Sequence, residues 1–96
     1  MEGWTWLTET IPTGERDAVP MSYLAALHHL SERKMRLEVE RARRSGILIC
    51  SSDKGYFMPE TQEEIRDYAH RTKARIRTSG QCLAPFLREI RRAEPK

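Results

Sequence analysis

Residues 21–57 constrain the fold more than any other part of the chain, because their pattern changes several times in a fixed order. A short apolar stretch, Met21–Leu27, is followed by two histidines and then by a longer charged stretch from Ser31 to Ser45. Two short runs of β-forming residues come next, separated by a polar cluster typical of a tight turn. This order predicts a helix, a turn, a second helix and a β-hairpin.

The second predicted helix, from about Ser31 to Ser45, has two different faces. Ser31 is a favourable N-cap, and Gly46 suits the left-handed conformation that ends many helices. One face of the helical wheel is apolar and holds Met35, Val39 and Ala42. The opposite face is mostly charged and holds Arg33, Leu37, Glu40 and Arg44, flanked by Arg36 and Arg41.

The hairpin is predicted from composition and turn residues. Ile47–Cys50 reads as the first strand, residues 51–55 as the loop and Tyr56–Met58 as the second strand, which Pro59 ends. Ala18-Val19 is a candidate for a short third strand beside it.

The chain resembles a known family in the segments Ile11–Val19, Leu30–Arg36, Ile49–Ser52 and Gly55–Phe57, together with Gly46. It is similar to small winged helix-turn-helix proteins of bacterial phages and prophages, most of them uncharacterised DNA-binding proteins. The similarity covers roughly residues 5–92, and its specificity lies in the order and spacing of the segments. The chain departs from the family pattern in two places. The turn is His28-His29 rather than small and glycine-containing, and Leu37-Glu38 reverses the expected polarity.

The resemblance implies a mainly α fold with a small β-hairpin (α+β), a winged helix-turn-helix in residues 1–60 with a helical extension in residues 61–93. It implies sequence-specific binding of double-stranded DNA, with residues 31–45 in the major groove and residues 51–55 as the wing, in a transcriptional or phage-development regulator. Contacts to base edges are expected from Arg33, Lys34, Arg36 and Leu37. Contacts to the DNA backbone are expected from Ser31, Arg41 and Lys54.

A protein-binding module is the alternative function, since some winged-helix domains bind proteins instead of DNA. The exposed Leu37 and the unusual Trp4 and Trp6 would then form the interaction surface. Residues 4–10 are predicted as a short opening helix whose Trp4 and Leu7, three apart, pack on the domain.

Composition restricts the other functions. The 96 residues form one domain and carry a net charge of +3, distributed as −3 in residues 1–20 and +6 in residues 21–96, which favours a polyanionic partner. No nucleophile motif or phosphate loop is present, so we expect neither an enzyme nor a small-molecule substrate or cofactor. The adjacent His28 and His29 lack metal-ligand spacing, and we expect no metal.

Neither the cysteines nor the hydropathy pattern indicates an extracellular or membrane protein. Cys50 and Cys82 form no disulfide framework, and no apolar run approaches the length of a membrane span. We therefore expect a cytoplasmic protein without a membrane partner.

The C-terminal third is predicted to be helical but interrupted. Thr61 and Glu64 form a capping box that opens a helix over about 62–79, and Gly80 and Pro85 predict a break near 80–84 before a last helix over 85–93. From Ile65 onward, inward positions 65, 69, 72, 76, 79, 83, 86 and 90 alternate spacings of four and three, the period of a coiled-coil seam. The extension either packs on its own domain or forms a homodimer through residues 65–92.

Overall fold

The computed structural model describes residues 3–93. In that range the helices are α1 (Thr5–Thr8), α2 (Met21–Leu27), α3 (Glu32–Arg44) and α4 (Gln62–Ala93), with a 3₁₀ turn at Glu15–Asp17. The strands β1 (Cys50–Ser52) and β2 (Gly55–Phe57) pair antiparallel. The protein is therefore mainly helical with one small hairpin, as the predicted α+β class requires.

The hydrophobic core lies entirely in the first two thirds of the described chain. Its largest fully buried side chains are Leu7, Leu24, Met35, Val39, Ile49 and Phe57. α1 contributes Leu7, and half-buried Trp4 packs against the same cluster, as predicted for the opening segment. We call residues 3–61, which contain this core, the head.

The two ends of α3 have the capping groups that the sequence predicts. The Ser31 hydroxyl accepts a hydrogen bond from the backbone N–H of Lys34 at 3.0 Å. At the other end, Gly46 adopts φ 102° and the N–H of Ile47 donates to the carbonyl of Ala42 at 3.0 Å. This is the hydrogen-bond pattern of a Schellman motif, and it turns the chain sharply from α3 towards the hairpin.

α2 ends in the same motif, with histidine in place of glycine. His29 adopts φ 57°, and the N–H of Leu30 donates to the carbonyl of Ala25 at 2.9 Å. A left-handed residue with a Cβ is strained, and the surrounding contacts have to stabilise it. His28 supplies such contacts, because its Nε2 lies 2.9 Å from Thr10 Oγ1 and its ring meets the Trp6 ring edge-on at 4.8 Å.

The hairpin begins later in the sequence than predicted. Cys50 pairs with Phe57 and Ser52 with Gly55, so the prediction of a first strand over Ile47–Cys50 is wrong for its first three residues. The predicted loop over residues 51–55 is wrong for Ser51, Ser52 and Gly55, which lie in the strands, and β2 ends at Phe57 instead of Met58. Their backbone groups have other partners: Ile47 donates to the end of α3, and the Ile49 carbonyl accepts from Arg43 Nε at 2.8 Å.

The predicted third strand is reduced to a single bridge. Val19 pairs with Tyr56, and each backbone N–H donates to the other residue's carbonyl, at 3.1 and 2.7 Å. Gly55, at φ 122°, lies so close to Val19 that a Cβ there would collide with the Val19 carbonyl. The bridge therefore holds the start of β2 tightly against the loop that leads into α2.

α4 is one continuous helix, and the predicted break at 80–84 is wrong. Pro85 lies inside the helix, where its ring removes one backbone hydrogen bond and disfavours the regular geometry. Gln81, whose carbonyl loses its partner, is exposed, so water can satisfy that oxygen. Gly80 has no neighbouring atom within 4 Å of an ideal Cβ, so no packed element forces the chain to turn there.

The protein is elongated because α4 extends beyond the head. The radius of gyration is 17.1 Å and the principal extents are 54 × 30 × 26 Å; a compact chain of this length would have a radius of gyration of about 12.5 Å. None of the helices in residues 3–93 is both long and apolar enough to cross a membrane.

Candidate functional site

The outer face of α3 is a continuous, exposed, mostly cationic surface. Met35, Val39 and Ala42 are buried on the inner face, which fixes the rotation of the helix. The predicted base-contacting residues consequently lie in solvent: Arg33, Lys34, Arg36 and Leu37.

Several of these cations have carboxylate neighbours on the same helix. Arg36 lies 3.5 Å from Glu32, while Lys34 and Arg41 share Glu38 at 3.6 and 3.4 Å. The Glu38 side chain is only 13% exposed, so it lies close to the buried face of the helix, in line with the reversed polarity of Leu37-Glu38. The Arg36–Glu32 pair is exposed on both sides and contributes about 0–1 kcal/mol, so a polyanion can displace it at small cost.

Among the exposed basic residues of α3 and the hairpin, three are without such neighbours within residues 3–93. Arg33, Arg44 and Lys54 have no carboxylate oxygen within 4.0 Å there. Arg33 lies in the first turn of α3, Arg44 in its last turn, and Lys54 at the tip of the hairpin. Leu37, which is 46% exposed, lies among the cations of this face.

Arg43 connects the hairpin to α3. Its Nε donates to the Ile49 carbonyl at 2.8 Å, and a terminal nitrogen donates to Ser51 Oγ at 3.3 Å. The guanidinium also lies over the ring of Tyr68 in α4, 5.0 Å from its centroid. Arg43 is half-buried, and with these partners it positions the hairpin beside the end of α3 instead of projecting towards a ligand.

Sequence reasoning missed this role of Arg43 and a similar role of Arg71. Arg71, from α4, donates to the Ser51 carbonyl at 3.0 Å, across 20 residues of sequence. Both read as ordinary surface charges in the sequence. The only available signal was that Arg43 falls between the apolar and charged faces of the α3 wheel.

Glu64 joins the start of α4 to the head. Its N–H donates to Thr61 Oγ1 at 3.2 Å, which completes the predicted N-cap. Its carboxylate accepts the backbone N–H groups of Glu60 at 2.7 Å and Glu15 at 3.0 Å. These hydrogen bonds favour the ionised form and hold the pKa of Glu64 below its ordinary value.

The histidines and cysteines show no geometry for metal binding or redox chemistry. Within residues 3–93 no group of three or more His, Cys, Asp or Glu side chains could hold a metal ion. Burial raises the pKa of the Cys50 thiol, which reduces its reactivity, and Cys82 is exposed on α4.

An apolar groove of about 520 Å³ lies on another side of the head, between residues 47–50 and α4. Its walls include Leu48, Ile65, Ala69, Thr72 and Ile76, and its rim carries Arg43 and Lys73. The groove is open to solvent and lacks converging acid–base pairs.

Comparison with known proteins adds no assignment: no protein-family model matches the chain, and no curated protein or solved structure matches it. The outer face of α3 and the adjacent hairpin tip are thus the candidate site on physical grounds. Their chemistry, arginine and lysine donors around one exposed leucine, suits a polyanion with apolar groups between its charges.

Proposed function

We propose that the head is a winged helix-turn-helix domain that binds double-stranded DNA sequence-specifically and acts as a transcriptional or phage-development regulator. In this proposal α2 and α3 are the helix-turn-helix, α3 enters the major groove, and the tip of the β1–β2 hairpin is the wing. The supporting observation is that the exposed face of α3 carries its basic residues opposite a fully buried face, and that Arg43 joins the end of α3 to the hairpin whose tip carries Lys54.

Base readout would come from the N-terminal half of α3. Arg33 can bind a guanine edge with two hydrogen bonds, and no carboxylate within residues 3–93 competes for it at 4.0 Å or less. Leu37 lies one turn further along the same face and can contact a thymine methyl group. Lys34 and Arg36 lie on either side of this pair. On binding, each leaves its carboxylate partner on α3 and contacts the DNA instead.

Contacts to the DNA backbone would come from residues around the edges of this surface. Lys54 at the hairpin tip reaches a phosphate or the minor groove, and Arg41 reaches a phosphate after leaving Glu38. The free N–H groups at the start of α3, beside Ser31, form a further site that favours a phosphate. Such contacts fix the orientation of the domain on the duplex without reading its sequence.

Selection from a random duplex pool at ~150 mM salt tests this proposal. We expect recovery of one base motif, with Arg33→Ala relaxing the preference at one position and Lys54→Ala weakening all sequences alike. Failure to recover a motif, together with the absence of salt-dependent binding to any duplex, would overturn the proposal. In that case the half-exposed Leu37 would favour a protein partner for the same face, and capture of one partner in nuclease-treated extract would identify it.

A further inference from the structure

The outer half of α4 exposes large apolar side chains that the head does not cover. Ile76, Leu83, Phe86, Leu87 and Ile90 are between 48% and 68% exposed, and α4 contains no buried residue. The first half of α4 is different, since Ile65, Tyr68 and Thr72 are half-buried against the head. One chain therefore has an apolar outer half of α4 and, against residues 65–76 of the same helix, an open apolar groove.

We propose that the groove of each chain is occupied by the outer half of α4 of a second copy, in an antiparallel homodimer. The register follows from positions 65, 69, 72, 76, 79, 83, 86 and 90. Their spacings read the same in both directions, so an antiparallel pair centred between residues 77 and 78 brings all eight into one seam. Each of these residues then faces the partner residue whose number, added to its own, gives 155.

This register pairs small residues with large ones. Ala69 faces the partner's Phe86, Thr72 faces the partner's Leu83, and Ser79 faces the partner's Ile76, while the outermost layer pairs Ile65 with the partner's Ile90. A parallel arrangement would put Ala69, Thr72 and Ser79 each against its own copy and Phe86 against Phe86. Because protein interiors are close-packed, layers of small residues would leave cavities, and a layer of two phenylalanines would be too crowded. The antiparallel register avoids both.

The charges at the two ends of α4 favour the same orientation. Residues 63–67 contain Glu63, Glu64 and Asp67 with one arginine, whereas residues 88–92 contain Arg88, Arg91 and Arg92 with one glutamate. Antiparallel packing places the acidic start of one helix level with the basic end of the other, and the two helix dipoles also oppose. Parallel packing would bring like charges together at both ends.

The positions that break helical regularity lie outside the seam. Pro85 is adjacent to Phe86 but falls on the outward side of α4 in this register, and Gly80 falls at the seam's edge. The carbonyl that Pro85 leaves unpaired therefore still faces water when the second copy is bound. This arrangement explains how a proline is tolerated in a helix whose other face is buried in the dimer.

The dimer fixes the distance between the two heads. The functional significance of that distance rests on the proposed DNA binding. The two copies of residue 65 lie about 38 Å apart along the helix axis, and the two copies of residue 68 lie about 28 Å apart, at about 1.5 Å per residue. One turn of B-DNA spans about 34–36 Å, which is the usual separation of two half-sites. The proposal therefore predicts a two-fold symmetric operator, while the dimer itself needs no DNA.

Disulfide trapping with the full chain tests the register. In a Cys82→Ser background, Ala69→Cys and Phe86→Cys are prepared separately and mixed under mild oxidation, and we expect a cross-linked dimer in the mixture only. Self-cross-linking of either variant alone would overturn the antiparallel register. An intramolecular disulfide in a monomeric Ala69→Cys/Phe86→Cys double variant would show that the chain's own helix folds back into the groove, and would also overturn it.

Light scattering on a sizing column tests the dimer without reference to DNA. At tens of micromolar we expect twice the 11.2 kDa of one chain, and Phe86→Asp should raise the dissociation constant at least about tenfold. The matched control Thr78→Asp, on the outward side of α4, should leave it unchanged, with circular dichroism confirming that both variants are folded. A monomer at every concentration overturns the dimer but leaves the proposed DNA binding of one head intact.

Discussion

The head and α4 stabilise their helices in different ways. In the head, short helices are stable because each buries one face: α2 contributes Leu24 and α3 contributes Met35 and Val39 to a shared core. α4 is more than twice as long as α3 and buries no residue. The head carries eight basic and eight acidic side chains, whereas α4 carries eight basic and four acidic ones, so net charge does not mark α3 as the site. The head therefore has a core of its own, whereas the outer half of α4 leaves its apolar face exposed, and in the proposed dimer a second copy covers that face.

Truncation of one leucine in each region should show the difference between the head and α4 most strongly. Leu24→Ala removes a fully buried side chain and should lower the free energy of unfolding by about 2–5 kcal/mol. Leu83→Ala, the matched change in α4, should lower it by no more than about 0.5 kcal/mol in dilute monomer, because Leu83 is half exposed. Urea denaturation measures both, and equal losses would show that α4 belongs to the same cooperative core.

The hairpin should respond next most strongly. Gly55→Ala places a Cβ against the Val19 carbonyl at a backbone φ of 122°, so we expect a loss of about 1–3 kcal/mol in the free energy of unfolding. Gly80→Ala is the control in α4, where an added Cβ meets no atom within 4 Å, and it should be neutral or stabilising. A tolerated Gly55→Ala would contradict the tight approach of β2 to the loop before α2.

The junction between the two regions should depend on pH. The pKa of Glu64 is lowered in the folded protein, so its contribution is present above its ordinary value of 4.5 and is lost as the pH falls through the folded pKa. We expect thermal stability to fall less steeply below about pH 4.5 in Glu64→Gln than in the wild type. Glu63→Gln, which makes no such hydrogen bonds to the head, is the control. Identical pH profiles for all three proteins would contradict the Glu64 contacts.

Local patterns predicted the head well and α4 less well. The periodicity of Met35, Val39 and Ala42 and the caps at Ser31 and Gly46 placed α3 within a residue at each end. The strand at Ile47 was misplaced because its β-forming composition is local, whereas Arg43 and the end of α3 take its backbone groups through tertiary contacts. The predicted break at Gly80 was wrong because the sequence does not show that no other described part of the chain packs against this residue.

The candidate site was predictable only as far as it depends on helical spacing. The exposure of Arg33 and Leu37 follows from the wheel, and the structure places both there. The pairing of Glu38 with Lys34 and Arg41 also follows from helical spacing, whereas the link between Glu64 and Glu15 spans 49 residues. No pattern in the sequence indicates contacts of that range.

The most direct test of the proposed site compares one exposed arginine of α3 with one exposed arginine of α4. Fluorescence anisotropy measures binding of a selected duplex by the wild type, by Arg33→Ala in α3 and by Arg77→Ala on the exposed outward side of α4. If α3 is the DNA-binding site, Arg33→Ala weakens binding by about 1–3 kcal/mol and relaxes base preference, while Arg77→Ala changes the affinity by less than about twofold. Equal weakening by both substitutions would mean that the duplex responds only to net charge, and would contradict the assignment of the site to α3.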